Sequence, residues 1–180
     1  MIKYPMIEYP MIKYFNHIIA GFFFFCLLFL FSPGATAQPP PPRPIAVYAN
    51  PAQGMIFGAF FQGPSGGTVI LYPDGSRTST GSLILANLGY PYSPALFEID
   101  ANVGTVVSIM NGPDATLTGS NGGSITLHLG AASTGSSFTT TIVSPSRTQV
   151  WIGGTLSVSN PLANPSGSYS GTFSVTFIQQ

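Results

Sequence analysis

Val150-Trp151-Ile152-Gly153-Gly154-Thr155-Leu156-Ser157-Val158 and Tyr169-Ser170-Gly171-Thr172-Phe173-Ser174-Val175-Thr176-Phe177 are the two stretches that decide the fold. Both have a period of two. Val150, Ile152, Leu156 and Val158 share one face of the first, and Tyr169, Phe173, Val175 and Phe177 share one face of the second, with Ser and Thr opposite. Such alternation marks strands with one face in a core and one in water. The turn-rich insert between them, Asn160-Pro161-Leu162-Ala163-Asn164-Pro165-Ser166-Gly167, leads us to expect that the two strands pair with each other.

Working outward from this pair, the chain is a succession of short apolar segments. They cover residues 45–48, 55–61, 68–72, 82–85, 95–100, 104–110, 115–118, 124–129 and 137–143. Between them stand turn residues such as Asn50-Pro51, Pro73-Asp74-Gly75 and Asn121-Gly122-Gly123, each with a backbone reason to reverse the chain. No window has the three-to-four-residue apolar period of an amphipathic helix. The expected fold class is therefore all-β, an immunoglobulin-like antiparallel β-sandwich over residues 45–180, with a barrel as the alternative.

The beginning of the chain is of another kind. Residues 1–14 repeat a five-residue unit that supplies Met1, Met6 and Met11, so either Met1 or Met11 can serve as the start, and Met11 would leave Lys13 as a short basic region. An unbroken apolar run over 18–31 precedes Ala35-Thr36-Ala37, the small-residue pattern of a secretory cleavage site. The run is shorter than the roughly 20 residues that a bilayer-spanning helix needs, and Pro33-Gly34 ends it. We expect residues 1–37 to be the start-region repeat and a helical signal peptide cleaved after Ala37. Residues 38–44 would then be a Pro-rich linker of polyproline II form. Cys26 follows Phe25, not the small residue that precedes a lipidated cysteine. Membrane contact is thus expected through the signal peptide alone, and the destination is the periplasm, the cell surface or the medium.

After cleavage the chain holds Arg43, Arg77 and Arg147 against Asp74, Glu98, Asp100 and Asp114, with no Lys and no Cys. This excludes the basic footprint of a nucleic-acid binder. It also excludes disulfides and thiolate metal sites, so stability rests on burial and the hydrogen-bonded ladder. No cofactor motif is present.

Four features of the sequence have the residue types that chemistry needs. Gly63-Pro64-Ser65-Gly66-Gly67 has the Gly-x-Ser-x-Gly form of a nucleophile elbow, and Asp100 and His128 follow Ser65 in triad order, but a β-run and not a helix comes next. His128 alternates away from Ile125, Leu127 and Leu129 and reads as a surface histidine, since one imidazole without Cys is too few for a metal. Glu98 and Asp100 project from one strand face, either as a solvated surface or as a calcium pair. The aromatics Trp151, Tyr90, Tyr92 and the group over 57–61 would, if exposed, stack on sugars. Trp151 lies opposite the face of Val150 and Ile152.

Met55-Ile56-Phe57-Gly58, Gly66-Gly67-Thr68-Val69, Pro73-Asp74-Gly75-Ser76-Arg77, Ala95-Leu96-Phe97-Glu98-Ile99, Val150-Trp151-Ile152-Gly153-Gly154-Thr155-Leu156 and Gly167-Ser168-Tyr169-Ser170-Gly171-Thr172-Phe173-Ser174-Val175 resemble, in that order, a family of secreted bacterial domains of unknown function, family 4402. The resemblance implies an exported β-sandwich and no particular reaction. More distantly, the C-terminal stretch is similar to that of chaperone-usher pilins, including spore-coat-U-like subunits. Those chains end in an alternating strand with a Gly fourteen places from the C-terminus, where Gly167 stands before Phe173, Val175 and Phe177. Gln179 replaces their usual penultimate Tyr, and their Cys pair is missing.

Pilins assemble when one chain's N-terminal segment adds to an open sheet edge of the next. That similarity implies a structural or adhesive surface subunit whose partners are like subunits or a periplasmic chaperone, with Ile45, Val47, Gly167, Phe173, Val175 and Phe177 as its assembly residues. The alternative is a self-contained module binding surface polysaccharide through Trp151, Tyr90 and Tyr92. A serine hydrolase built on Ser65 is the third reading, and the expectation is that the protein is not an enzyme.

Overall fold

The computed structural model describes residues 43–180. The expected signal peptide over 1–37, and residues 38–42 of the Pro-rich segment, lie outside the described residues. Within them the chain forms thirteen strands, all paired antiparallel, and one short 3-10 turn at Pro51–Gln53. The expected all-β sandwich is what the chain adopts.

The spine is β11 (Thr148–Val158), the longest strand. Val150 and Ile152 are fully buried and Leu156 and Val158 nearly so, whereas Gln149 and Ser157 are exposed, as the alternation requires. Along one edge, β11 pairs first with β6 (Ala95–Asp100) and then with β3 (Gly67–Leu71). Along the other it pairs with β9 (Ser124–Ala132). The sheet continues from β9 through β8 (Ala115–Gly119) to β12 (Tyr169–Ser170), from β6 to β1 (Ala46–Ala49), and from β3 to β4 (Arg77–Ser79).

Two smaller sheets cover the inner face of this one. One is β2 (Ala59–Gln62) with β5 (Leu83–Ala86); the other is β10 (Ser137–Thr139), β7 (Val106–Asn111) and β13 (Val175–Gln179). Leu83, with Phe57 from the segment before β2, closes on Val69, Leu71, Leu127 and Leu156, and Val107 closes on Ile99, Val150 and Ile152. Met55 and Val175 pack against both clusters and make the core continuous. Transfer of this apolar area from water, at about 25 cal/mol per Å², is the main stabilising term in a domain without a disulfide.

The structure corrects the expected pairing of the two opening stretches. The second does not lie beside β11: β12 pairs with β8, and β13 crosses to the other layer and pairs with β7, Phe177 opposite Ile109. Alternation reveals which face is buried but not which strand is the neighbour. Residues 159–168 are long enough to leave the sheet edge, and Asn164 fixes their course by accepting from the Ser159 amide at 2.6 Å and donating to the Ser124 carbonyl. The expected face survives the change of partner. Phe173, Val175 and Phe177 are half-buried against the domain's own core, with Phe177 tilted on Phe97 at 5.4 Å between ring centroids.

The N-terminal strand β1 runs along the edge of β6, Val47 opposite Ile99 and Tyr48 opposite Glu98. Gln179 on β13 accepts from the Ile45 amide at 3.1 Å and donates to the Arg43 carbonyl at 3.4 Å. Arg43 pairs with Asp100 at 2.6 Å, and Arg147 pairs with Glu98 at 3.1 Å while lying 3.6 Å from the Tyr48 ring centroid.

Candidate functional site

The partner of β11 changes at Gly153. Ile152 pairs with Ala95, the first residue of β6, and Gly154 pairs with Leu71, the last residue of β3. A Cβ on Gly153 would run into the Leu71 carbonyl oxygen, so only glycine lets β3 come this close. The register with β9 also shifts here, between Ile152 and Gly154, and such a bulge bends the strand.

At this handover two chain ends diverge from the sheet. β3 leaves into the turn Tyr72-Pro73-Asp74-Gly75, and β6 arrives from Tyr92-Ser93-Pro94. Together with Ala132 and Ser133 at the end of β9 they form the walls of an open groove of about 850 Å³ with Trp151 of β11 among its lining residues. This is within the range of small-molecule and oligomer sites, about 300–1,000 Å³. Tyr72, Tyr92 and Trp151 give it three aromatic surfaces.

Hydrogen bonds hold each wall. The Ser133 amide donates to the Trp151 carbonyl at 2.8 Å and the Trp151 amide to Ser133 Oγ at 3.0 Å. Ser93 exchanges two backbone hydrogen bonds with Ile56, at 2.8 and 2.9 Å. In the hairpin, the Gly75 amide donates to the Tyr72 carbonyl at 3.0 Å, with Gly75 at φ 83°, a conformation that favours glycine. Asp74 Oδ1 accepts from the Ser76 hydroxyl at 2.6 Å and from the Ser76 amide at 2.8 Å, and these bonds hold its carboxyl below the usual carboxylate range. Behind Tyr92 the Arg77 guanidinium sits 4.3 Å from the ring centroid, its donors directed at the Phe57, Ala59 and Ala86 carbonyls.

The structure thus brings together two of the three expected aromatic contacts, Trp151 and Tyr92. Tyr90 is 65% exposed but is not among the groove's lining residues. Tyr72 was not foreseen, although its signal was present: Val69 and Leu71 are buried, so alternation points Ile70 and Tyr72 outward. In the aromatic group over 57–61, Phe57 belongs to the core and Phe60 packs on it, leaving Phe61 exposed.

The residues named for assembly fall elsewhere. Ile45 packs on the core, whereas Val47, on the core-facing side of the edge strand β1, stays 43% exposed. Gly167 stands before β12, where an added Cβ would come 2.7 Å from Ser120 Oγ.

A family model described as a domain of unknown function, DUF4402, matches residues 47–178, from β1 to β13. The chain belongs to the DUF4402 family. The match takes in Tyr72, Tyr92 and Trp151. Neither the curated proteins nor the solved structures gave a match.

In this DUF4402 domain the other chemical candidates are engaged separately. Ser65 lies in the turn between β2 and β3, its amide accepted by Ser82 Oγ at 3.2 Å, and a strand follows it. His128 Nδ1 bonds Asp114 at 2.6 Å on the surface, and Asp100 bonds Arg43, so neither makes the hydrogen bond that a triad on Ser65 requires. Glu98 and Asp100 share a face as expected, but each carboxylate is taken by an arginine. Among the described residues no group of three or more His, Cys, Asp and Glu side chains converges as a metal site, and no helix is long and apolar enough to cross a membrane.

Proposed function

We propose that this protein is an exported adhesive domain of the cell surface or periplasm, and that it takes polysaccharide across the Tyr72, Tyr92 and Trp151 groove. The observation that carries this reading is the grouping of three aromatic rings, from three separate parts of the chain, around one open groove. Aromatic faces hold the apolar C–H faces of pyranose rings, and a few polar groups at the rim orient the hydroxyls. An open groove suits a chain ligand, which enters and leaves along its length. Glycan-array binding that disappears in Trp151→Ala, with circular dichroism unchanged, is the expected result. Equal binding by the variant would sink the reading.

A second reading, assembly of like subunits by strand pairing, has its own supporting observation. Val47 lies on the inner side of an edge strand with 43% of its surface uncovered, and among the described residues β1 pairs with β6 alone, leaving its outer edge of the kind that another strand can pair with. The strand is held by its ladder with β6, by Ile45 on the core and by contacts of Arg43, Tyr48 and Gln179. SDS-resistant ladders that vanish on deleting residues 38–48 would support it. A folded monomer in both forms would overturn it.

A further inference from the structure

We infer that the groove takes uncharged chains of pyranose rings and discriminates against chains of uronic acid, and that Asp74 is its specificity-determining residue. This rests on the proposed function and adds the class of ligand.

The argument starts from the charges around the groove. Asp74 is the one residue among its lining with a formal charge; the others are Tyr72, Tyr92 and Trp151 with Pro, Gly, Ala and Ser. Its carboxylate is held in place by Ser76, which occupies Oδ1 with two hydrogen bonds, and among the described residues Oδ2 has no donor. A fixed carboxylate oxygen at a groove wall is an acceptor for sugar hydroxyls, and a hydrogen bond to a charged acceptor is stronger than one to a neutral group. For a uronate the same oxygen is repulsive.

Among the described residues no cationic side chain lines the groove to offset that repulsion. The domain has no Lys after residue 13. Arg77 is close, but it lies against the Tyr92 ring and directs its guanidinium hydrogens at the Phe57, Ala59 and Ala86 carbonyls. Arg43 and Arg147 are paired with Asp100 and Glu98. A cationic chain would meet the same carboxylate favourably, so the discrimination is against anions. Neutral rings meet no such repulsion: they stack on the aromatics and donate hydroxyls to Asp74.

The test is affinity electrophoresis of the full chain through gels containing a neutral polymer (hydroxyethylcellulose or glucomannan) or an anionic one (alginate or polygalacturonate). Retardation by at least one neutral polymer and none by the anionic ones is expected. Asp74→Asn should weaken the neutral binding about tenfold, the loss of one charge-assisted hydrogen bond, while Ser76→Ala, which frees the carboxylate without removing it, should weaken it less. Binding to alginate or polygalacturonate that equals or exceeds the neutral binding, and that Trp151→Ala abolishes, would overturn the selectivity and leave the groove reading standing. Retardation by no polymer, or retardation that Trp151→Ala leaves intact, would overturn both.

Discussion

Arg77 and Tyr92 are stacked, the guanidinium carbon 4.3 Å from the ring centroid, and this contact links the core to the groove. The same guanidinium donates to Phe57 and Ala59, around the start of β2, and to Ala86, at the end of β5. Arg77→Ala removes the donors of three carbonyls. We expect a loss of about 2–3 kcal/mol, the scale of hydrogen bonds to a charged group, measured by urea unfolding. Arg77→Lys should recover little, since a single ammonium cannot span the fork. Affinity for polysaccharide should fall in both variants, because Tyr92 loses the support behind its ring. Unchanged stability in Arg77→Ala would refute the clamp.

Gly153 and Gly154 are neighbours with unlike constraints. A Cβ on Gly153 would run into backbone, the Leu71 carbonyl, which is fixed in the ladder; a Cβ on Gly154 would meet side chains first, the Met55 sulfur at 2.8 Å and Leu127 Cδ1 at 3.0 Å, with the His128 carbonyl oxygen less severely crowded at 3.1 Å. Methionine is adaptable and can move aside. Gly153→Ala is therefore expected to cost about 3 kcal/mol or more, at the upper end for overpacking in a core, and Gly154→Ala about 1–2 kcal/mol. The order of the two melting temperatures is the readout. If Gly154→Ala is the worse of the pair, the handover at Gly153 does not depend on close backbone approach.

These two residues also mark the limit of what was legible beforehand. The faces of Val150, Ile152, Leu156 and Val158, and of Phe173, Val175 and Phe177, followed from alternation because burial acts on every second residue. The neighbours did not: the same alternation suits β13 beside β11 or beside β7, and only the three-dimensional course of residues 159–168 decides. Trp151 was readable as an outward aromatic for the same reason. The groove was not, because Tyr72, Tyr92 and Trp151 are scattered along the chain and come together where one strand edge passes from β6 to β3. Glycine pairs inside strands are a signal of such close approach, and Gly153-Gly154 was that signal.

Acid should loosen the N-terminal edge. The hydrogen bond from Arg43 holds the Asp100 carboxyl below its ordinary 3.8. A carboxyl lowered in the folded state contributes stability above its unfolded pKa, and that contribution is lost as pH falls from about 4 through the folded value. Melting temperature should be flat from pH 7 to 5 with respect to this group and fall below pH 4. Asp100→Asn should melt lower than the wild type at pH 6, with the difference narrowing toward pH 2.5. Parallel curves for the two proteins across that window would exclude the ion pair as a contributor.

Asn164 is the buried polar residue on which the crossing of the C-terminal segment depends. It is 3% exposed. Its Oδ1 accepts from the Ser159 amide just beyond β11, while its Nδ2 donates to the Ser124 carbonyl at the start of β9 and to the Ala163 carbonyl. One side chain thus joins the end of the spine to the neighbouring strand and sets where residues 165–168 leave toward β12. Asn164→Ala leaves a buried amide and a carbonyl unpaired, at about 1–3 kcal/mol. Asn164→Asp keeps the acceptor but loses both donor bonds and sets a carboxylate against carbonyl oxygens, so it should destabilise at pH 7 and recover part of the loss when the carboxyl is protonated. Hydrogen exchange should localise the effect: faster exchange at Ser159, Ser120 and Ser168, whose amides depend on this loop, with Val150 and Ile152 still protected. Uniform acceleration over the whole sheet would mean that Asn164 supports the fold globally and does not steer the crossing.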